Sequence, residues 1–402
     1  IAGGPRKGHA VDKRQADALI SDLDAAIASQ LKTVYDHPRL RQLESSWRGL
    51  KLLVDHLDFR EDITLEVLPA PQEELESALY NQVLIPEHES DRRSPLSVVM
   101  LDYEFSHGSR DIEILTDVAA TAASLQVPMV GSLAPSFFGA AEPDALGRLP
   151  VLWQLLEKPE YLGWNKLRDE TGAAYVSVVL PSIVLREPHK LNEKELVEAS
   201  PLLGRASVAV GALLGRRYQD TGWPTRATGK SNAELVGLAL GRVGGGALPL
   251  SAAIQTEKLS ELDQHGIGSL SAVMNRDSVF LAYLPTLQSS PKGDAVEAQS
   301  RMDAQLFASR IGHFLLAEQQ EGNLGSAQGD PVDRLVGRIV SFLGLTDTDD
   351  VGTFVSVTPV PEMDTPEAAV LAVTVAAPEA ILPIEARVTV GLSIPRAEAG
   401  TR

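Results

Sequence analysis

Residues 96–133 have the pattern of a strand, a helix and a second strand, which leaves few possible fold classes. Leu96–Leu101 is an apolar run rich in valine, which is typical of a strand buried on both faces. Asp111–Leu125 carries apolar residues at helical spacing, and Val127–Leu133 resembles a second buried strand. Because such a unit joins parallel strands through a crossover helix, the sequence predicts an α/β fold with flanking helices around a mostly parallel or mixed central sheet. Ile63–Leu68 alternates and is predicted to be a further strand.

Two helical patterns with narrow apolar stripes precede this unit. The apolar positions of the first pattern recur about every 3.5 residues, at Leu19, Ile20, Leu23, Ile27, Leu31 and Val34. Those of the second alternate between spacings of three and four, at Leu40, Leu43, Trp47, Leu50, Val54 and Leu57. Asp36 is predicted to cap the second helix, and Pro38 suits its first turn. The stripes fit either a self-contained helical hairpin or an N-terminal arm that packs on a partner's helices.

The C-terminal segment is predicted to be β-rich and antiparallel. Strand patterns at residues 353–357, 369–375 and 386–394 are separated by turns that contain proline. In the last strand one face is apolar, formed by Val388, Val390, Leu392 and Ile394, and the other is formed by Arg387, Thr389, Gly391 and Ser393. This alternation favours a strand in the chain's own sheet, although a terminal strand can also add to the edge of a neighbouring subunit.

Length and composition set the remaining bounds. The 402 residues, 44% of them hydrophobic, suffice for two or three packed domains, which we place at residues 1–60, 61–320 and 321–402. The absence of cysteine excludes disulfides, thiolate zinc sites and cysteine nucleophiles. A net charge of −18 argues against nucleic-acid binding, and no apolar run approaches the roughly 20 residues of a membrane span. We therefore expect a soluble protein without direct membrane insertion.

Several residue groups have the composition of a catalytic or phosphate site but lack its arrangement. Asp102, Ser106 and His107 are the residue types of a hydrolase triad, yet the adjacent Ser106 and His107 would point to different sides of the backbone. Gly241–Gly246 lacks the Gly-Lys-Ser/Thr ending of a phosphate-binding loop and follows residues that we predict to be helical. Gly229–Ser231 supplies that ending without the earlier glycine that the motif requires. We predict loops at both places.

The histidines do not suggest a metal site. No two of the eight stand at the i, i+4 spacing of a helical zinc site, and His313 lies on an apolar helix face, as a core histidine does. We predict no metal, no cofactor and no catalytic residues, hence no enzyme. A metabolic α/β enzyme is the remote alternative, because it would need a pocket with converging polar groups that no sequence feature specifies.

Several short sequence motifs resemble those of the large sheath subunit of bacterial type VI secretion, the TssC/VipB family, and occur in the same order along the chain. They are DHPRLRQLESSWRGLKLLVDHL, LDYEFSH, SLAPSFFG, KPEYLGWNKLR, TGWPT, TEKLSELDQHGIG and RMDAQLFASRIGHFLL, which run from residue 36 to residue 316. The chain departs from the family pattern in two places. Ser182 stands where an arginine is usual, and Leu203 and Gly204 stand where tryptophan and glycine are expected.

The resemblance implies a structural subunit of a cytoplasmic contractile machine. Its N-terminal helices would pack on a small sheath subunit through Leu19, Leu23, Ile27, Leu31, Leu40, Leu43, Trp47, Leu50 and Val54. The terminal strand Arg387–Ile394 would be exchanged between subunits, reversing the preference from alternation alone. Heterodimers would stack around an inner tube on a baseplate and contract to drive the tube and its effectors outward. An AAA+ unfoldase would recycle the sheath, mainly through the small subunit. A phage-tail-like injection particle is the alternative setting.

Overall fold

The structure is a computed structural model that describes residues 13–89, 95–191, 197–198, 200–288, 300–320, 330–346, 349–365 and 368–395. Its helices are α1 Lys13–Tyr35, α2 Pro38–His56, α3 Leu75–Leu79, α4 Ile85–Glu89, α5 Ser109–Leu125, α6 Leu152–Leu156, α7 Leu162–Asp169, α8 Ala206–Thr221, α9 Thr256–Gln264, α10 Met302–Gln320, α11 Pro331–Leu343 and α12 Val351–Phe354. Its strands are β1 Val99–Phe105, β2 Met129–Leu133, β3 Val176–Leu180, β4 Ile183–Arg186, β5 Leu202–Gly204, β6 Gly241–Val243, β7 Gly246–Leu248, β8 Gly268–Ala272, β9 Val279–Tyr283, β10 Val355–Pro359, β11 Ala368–Ala376 and β12 Arg387–Pro395.

A mixed five-stranded sheet forms the centre of the chain, in the order β1-β2-β3-β8-β9. The first four strands run parallel, and β9 pairs antiparallel with β8 at the edge. The predicted strand, helix, strand unit is β1, α5 and β2. Its parallel pairing, with Val99 beside Met129, confirms the predicted α/β fold.

Both faces of this sheet are covered, which explains the near-continuous apolar strands. On one face, Phe105 of β1 and Val178 of β3 lie in a core with α5 and α7. On the other, Val130 of β2 and Val179 of β3 lie in a second core with α2 and α8. Neighbouring residues of one strand therefore enter different cores, as the period of two requires.

Two of the motifs that carry the family resemblance contact each other inside the first core. SLAPSFFG supplies Phe137 and KPEYLGW supplies Tyr161 and Trp164, and all three side chains are buried. The Phe137 ring lies 4.8 Å from that of Trp164 and 5.5 Å from that of Tyr161, measured between centroids. The Tyr161 hydroxyl donates a hydrogen bond to the Phe137 carbonyl oxygen. The aromatic residues of these two motifs are thus explained largely by their packing in the first core.

A third core lies beneath the C-terminal antiparallel sheet, whose strand order is β10-β11-β12. Val373 of β11 and Leu392 of β12 face inward onto α10 and α11. Helix α10 joins two cores, because Met302 lies in the second and Phe307 in the third. The antiparallel sheet confirms the predicted β-rich segment, while the boundary proposed at residue 320 remains a prediction.

Local predictions were wrong at three places outside the glycine-rich segments. Residues 63–68 form no strand, and the residues before Gly241 are not helical, since Leu235 instead bridges antiparallel to Val279 of β9. Pro38 does occupy the first turn of α2, but the cap position is His37, without a side-chain hydrogen bond. Asp36 instead lies 3.9 Å from Arg41. In the second case a tertiary contact, the bridge from Leu235 to β9, took the place of the local pattern.

Gly172 allows the turn Thr171–Tyr175 to pack closely beneath α5. A methyl group at Gly172 would lie 2.5 Å from the Ala119 carbonyl oxygen, which is backbone and cannot rotate away. We expect Gly172→Ala to lower the free energy of unfolding by about 1–3 kcal/mol in chemical denaturation. The matched control is Gly337→Ala in α11, where nothing lies within 4 Å, and it should be neutral or slightly stabilising. Equal stability of both variants would contradict the close approach.

Candidate assembly surfaces

Helix α2 has two faces with different environments. Its inner face consists of Ser45, Gly49, Leu52 and Leu53, which are all buried. A methyl group at Gly49 would lie 3.5 Å from the Val208 side chain of α8, so the two helices approach closely there. This inner face belongs to the second core and holds α2 against the body of the protein.

The predicted apolar stripe of α2 lies on its outer face. Leu43, Trp47 and Val54 remain 57%, 65% and 51% exposed, while Leu40 and Leu50 are half-buried. Because the inner face already satisfies the packing of α2, the stripe is a second apolar surface, and none of the described residues buries it. Periodicity located the stripe correctly but could not show that a different face packs inward.

Helix α1 also has an exposed apolar stripe, and fewer of its side chains are buried than in α2. Ala28 is its one buried side chain. Leu19 and Leu23 are 68% and 61% exposed, Ile27 is also exposed, and Leu31 is half-buried. We use the term arm surface for the large exposed apolar side chains of both helices, namely Leu19, Ile20, Leu23, Ile27, Val34, Leu43, Trp47 and Val54. An apolar surface of this extent marks an interaction site more often than a free face.

A buried arginine connects α2 to strand β4 through an ion pair. Arg186 of β4 donates two hydrogen bonds to Glu44 of α2, from Nε to Oε1 and from Nη2 to Oε2, each 2.8 Å long. Its Nη2 also donates to Oε1 of the buried Glu198, at 2.9 Å. Arg41 of α2 donates from Nη1 to Glu198 Oε1 at 3.0 Å and from Nη2 to the Pro201 carbonyl oxygen at 2.6 Å. We call Arg41, Glu44, Arg186 and Glu198 the arginine network.

Hydrogen bonds within the arginine network favour the ionised form of its two carboxyl groups. Hydrogen bonds from Arg186 hold the pKa of Glu44 at about 2, well below its ordinary value of 4.5. Burial alone would raise the pKa of Glu198, but hydrogen bonds from Arg186 and from the His189 backbone N–H lower it. Both carboxylates are therefore ionised near neutral pH, where they balance the two guanidinium groups.

The lowered pKa of Glu44 predicts a pH-dependent contribution to stability. A carboxyl whose pKa falls on folding stabilises the fold above its unfolded pKa and loses that contribution as the pH falls through the folded pKa. We expect Glu44→Gln to cost on the order of 2 kcal/mol near neutral pH, and the cost to shrink between about pH 4.5 and pH 2. Urea unfolding of both proteins across this range measures it. A cost that stays constant down to pH 3 would contradict the ion pairing.

The terminal strand β12 pairs within its own chain. It lies antiparallel to β11 over its full length, from Ala368 beside Pro395 to Ala376 beside Arg387. Its apolar residues face the third core, as the alternation predicted, with Leu392 and Ile394 buried. The strand order leaves β12 at one edge of this sheet and β10 at the other. Exchange of residues 387–394 between subunits therefore remains a prediction.

The ladder identifies which backbone groups face the free edge of β12. The Val360 N–H donates to the Val370 carbonyl oxygen. The backbone N–H and C=O of Val370, and of every second residue after it in β11, therefore point toward β10. Thr374, which pairs with Thr389, belongs to that set. Thr389 is consequently in a non-hydrogen-bonded pair with β11, as the 3.0 Å distance between the two hydroxyls also indicates. The N–H and C=O of Thr389, and likewise of Gly391 and Ser393, point outward.

Comparison with known proteins gives the assembly surfaces a context. Residues 17–288, well over half of the chain, match the family model described as EvpB/VC_A0108, tail sheath N-terminal domain, of the VipB family. The chain belongs to the VipB family of tail sheath proteins. The arm surface begins near the start of the matched region, and the match ends shortly after β9.

Individual relatives agree with this assignment. This sheath protein is 24% identical, over 340 residues, to the type VI secretion system sheath protein TssC1 of Pseudomonas aeruginosa, covering 75% of this chain and 68% of the relative. It is thus a large sheath subunit of the TssC/VipB type and a structural component of a contractile sheath.

Two solved structures with low sequence identity are also similar. The sheath tail protein from Listeria innocua aligns with a TM-score of 0.45 and 10% identity, over 81% of this chain and 60% of that one. A chain of the anti-feeding prophage baseplate aligns with a TM-score of 0.42 and 11% identity, over 88% of this chain and 78% of that one.

The triad residue types of this sheath protein have separate structural partners. Ser106 donates from Oγ to Asp111 at 2.6 Å, just before α5. Asp102 accepts a hydrogen bond from Ser46 and so links β1 to α2. The His107 ring packs against Tyr161, with 4.9 Å between centroids. These contacts position backbone elements and do not bring the three side chains together as a triad.

Gly229–Ser231 forms a turn, as predicted, whereas Gly241–Gly246 was wrongly predicted as a loop and belongs to the β6–β7 hairpin. Gly244 and Gly245 both have positive φ and connect β6 to β7, a geometry that glycine adopts without strain. Lys230 forms an ion pair with Glu234 at 3.3 Å. His313 is half-buried on α10 and does not belong to the fully buried core, and burial lowers its pKa to about 4, so it is neutral near pH 7. Family membership points to a structural rather than an enzymatic role.

Two kinds of feature are missing from the part of the chain that the structure describes. No helix there is long and apolar enough to cross a membrane. No group of three or more His, Asp or Glu side chains is placed to hold a metal ion, within the same described ranges.

Sequence reasoning missed the arginine network. Glu44 and Arg186 are 142 positions apart, so no local pattern could join them. One signal was available, because Arg186 ends the apolar strand SIVLR, and an arginine at the end of a buried strand needs an acidic partner. The sequence did not indicate which of 54 acidic residues would supply it.

Proposed function

We propose that this large sheath subunit pairs with a small sheath subunit through the arm surface, polymerises with it around an inner tube and contracts to drive the tube and its effectors into target cells. The observation that carries the proposal is the outer face of α2. It is apolar and largely exposed, although the helix is already packed and ion-paired on its inner face. A helix that presents a second apolar face is suited to packing against another helix.

The energetic argument for a helical partner is direct. Burying a large apolar side chain contributes about 1.5–3 kcal/mol. The arm surface offers eight such side chains on two adjoining helices, with Trp47 near the middle of α2. Tryptophan is enriched among the residues that dominate binding energy at interfaces. The small subunit would therefore supply one or more amphipathic helices with an apolar stripe of similar length.

The free edge of β12 supports the second part of the proposal. An exposed edge strand presents unpaired N–H and C=O groups that can receive a strand from a neighbouring subunit. In the proposed sheath, residues 387–394 are the inter-subunit strand and pair along this edge with a strand of a neighbouring subunit. Backbone ladders of this kind can stay bonded while the bodies of the subunits rotate. The array could then contract without dissolving, releasing the interface energy stored in the extended state.

The remaining partners follow from this role. The sheath would surround the inner tube protein, start from a baseplate and act in the cytoplasm. We assign no site for the AAA+ unfoldase, which would act mainly through the small subunit. The net charge of −18 gives no reason to propose nucleic acid as a partner.

Co-expression with the small sheath subunit of the same organism tests the pairing. We expect both chains to copurify, whereas this chain alone should aggregate or polymerise because of its arm surface and its free strand edge. Size-exclusion chromatography with mass photometry distinguishes these cases. A well-behaved monomer that ignores the small subunit would contradict the proposal.

A further inference from the structure

We propose that Arg186 is a positioning residue for the arm surface, which it does not itself touch. The inference rests on the proposed function, because it concerns how the small-subunit interface is held in place. Arg186 lies at the end of β4, next to the central sheet, and only 9% of its side chain is exposed. Its two acidic partners come from α2 and from the segment before β5, so a single guanidinium joins three parts of the chain.

The arginine network acts on the N-terminal half of α2. Arg41 and Glu44 lie in the first two turns, whereas Leu52 and Leu53, which anchor the helix in the second core, lie in the last two. Ser45 adds one more contact in the first half, donating from Oγ to the Leu203 carbonyl oxygen at 2.8 Å. The first half is therefore held mainly by polar contacts and the second half by apolar packing. Loosening the network would free the end of α2 that carries Leu43 and Trp47.

The direction of α1 depends on the same region. Because Ala28 is its one buried side chain, α1 has little hold of its own on the body. The ring of its last residue, Tyr35, packs at a tilt against the His189 ring, with 4.6 Å between centroids. The His189 backbone N–H in turn donates to Glu198 Oε2 at 2.7 Å. The network thus supports the junction of α1 and α2 as well as α2 itself, and sets the angle between the two halves of the arm surface.

Three variants of the full chain, purified with the small subunit, test the inference. Glu44→Gln keeps the shape of the side chain and leaves Glu198 to balance Arg186. Arg41→Gln weakens the network at its more exposed end, where 21% of the side chain is accessible, and serves if the first variant fails to fold. Lys51→Gln is the matched control, since Lys51 pairs on the same helix with Asp55 and forms no ion pair with any other described residue. Hydrogen exchange across residues 38–56 and the dissociation constant for the small subunit are measured for each.

We expect Glu44→Gln and Arg41→Gln to speed exchange in the first half of α2 about tenfold, leave exchange in β1–β3 unchanged and weaken small-subunit binding about tenfold. Lys51→Gln should change neither quantity. Faster exchange with unchanged affinity would overturn the inference, because the network would then be structural only. Unchanged exchange would overturn it as well. Failure of the proposed function looks different, since Trp47→Ala would then also leave the affinity unchanged.

Discussion

Replacing Trp47 by Glu is expected to abolish copurification of this chain with the small sheath subunit. Trp47 is 65% exposed at the centre of the outer face of α2, so the substitution leaves the inner face and the arginine network intact. In the proposed complex it removes a large aromatic contact and buries an unpaired carboxylate. Loss of a central tryptophan costs about 2 kcal/mol or more, which corresponds to at least a ~30-fold weaker dissociation constant.

The matched control for this prediction is Trp153→Glu. Trp153 lies on α6 and is 53% exposed, so the change in composition and charge is identical and the site is far from α2 along the chain. We expect this variant to retain the small subunit. Both variants should unfold at the same denaturant concentration as the wild-type chain, because neither side chain is buried. Copurification of Trp47→Glu at the wild-type ratio would remove the arm surface from the proposed interface.

Replacing Thr389 by Pro is expected to stop sheath assembly without unfolding the C-terminal sheet. The N–H of Thr389 points to the free edge of β12, so proline removes no hydrogen bond to β11. It does remove a donor that a neighbouring strand would need and places a ring in its path. Heterodimers should still form through the arm surface, and tubes should be lost. Electron microscopy of the co-expressed proteins measures this.

Two companion variants make this prediction specific to the backbone. Thr389→Ala loses the same hydroxyl contact with Thr374 but keeps the N–H, and it should form tubes. Val390→Pro breaks a hydrogen bond to β11 and should destabilise the third core, which shows the cost of disrupting the ladder itself. Deleting the whole strand is a weaker test, because it would also remove Leu392 and Ile394 from the core. Normal tubes from Thr389→Pro would exclude strand addition at this edge.

The sequence predicted strands best where the apolar pattern agrees with the burial of the strand in the fold. The apolar run at Leu96–Leu101 predicted a strand inside two packed layers, and β1 occupies Val99–Phe105. The prediction failed for Ile63–Leu68, where alternation was present but no neighbouring strand pairs with it. Alternation describes a strand that has a partner, and the partner is a property of the whole fold. The prediction of a helix before Gly241 failed for a related reason, because Leu235 bridges to Val279 of β9.

For the candidate site, the sequence predicted the surface but not its support. The stripe through Leu43, Trp47 and Val54 followed from periodicity, and its functional meaning followed from the family resemblance. The inner face of α2 contains Ser45 and Gly49, which no hydrophobic pattern would select. The contacts of Glu44 depend on β4, and sequence separation hides such pairs. Long-range polar contacts therefore required the structure.

Electron microscopy of this chain, co-expressed with its small sheath subunit, tests whether the two chains assemble into a sheath. We expect hollow tubes with a cogwheel-shaped cross-section, built from both chains in equal amounts. Their loss in Trp47→Glu and in Thr389→Pro would assign the two contacts to the assembly. Discrete particles alone, without tubes at any salt concentration, would contradict the sheath account.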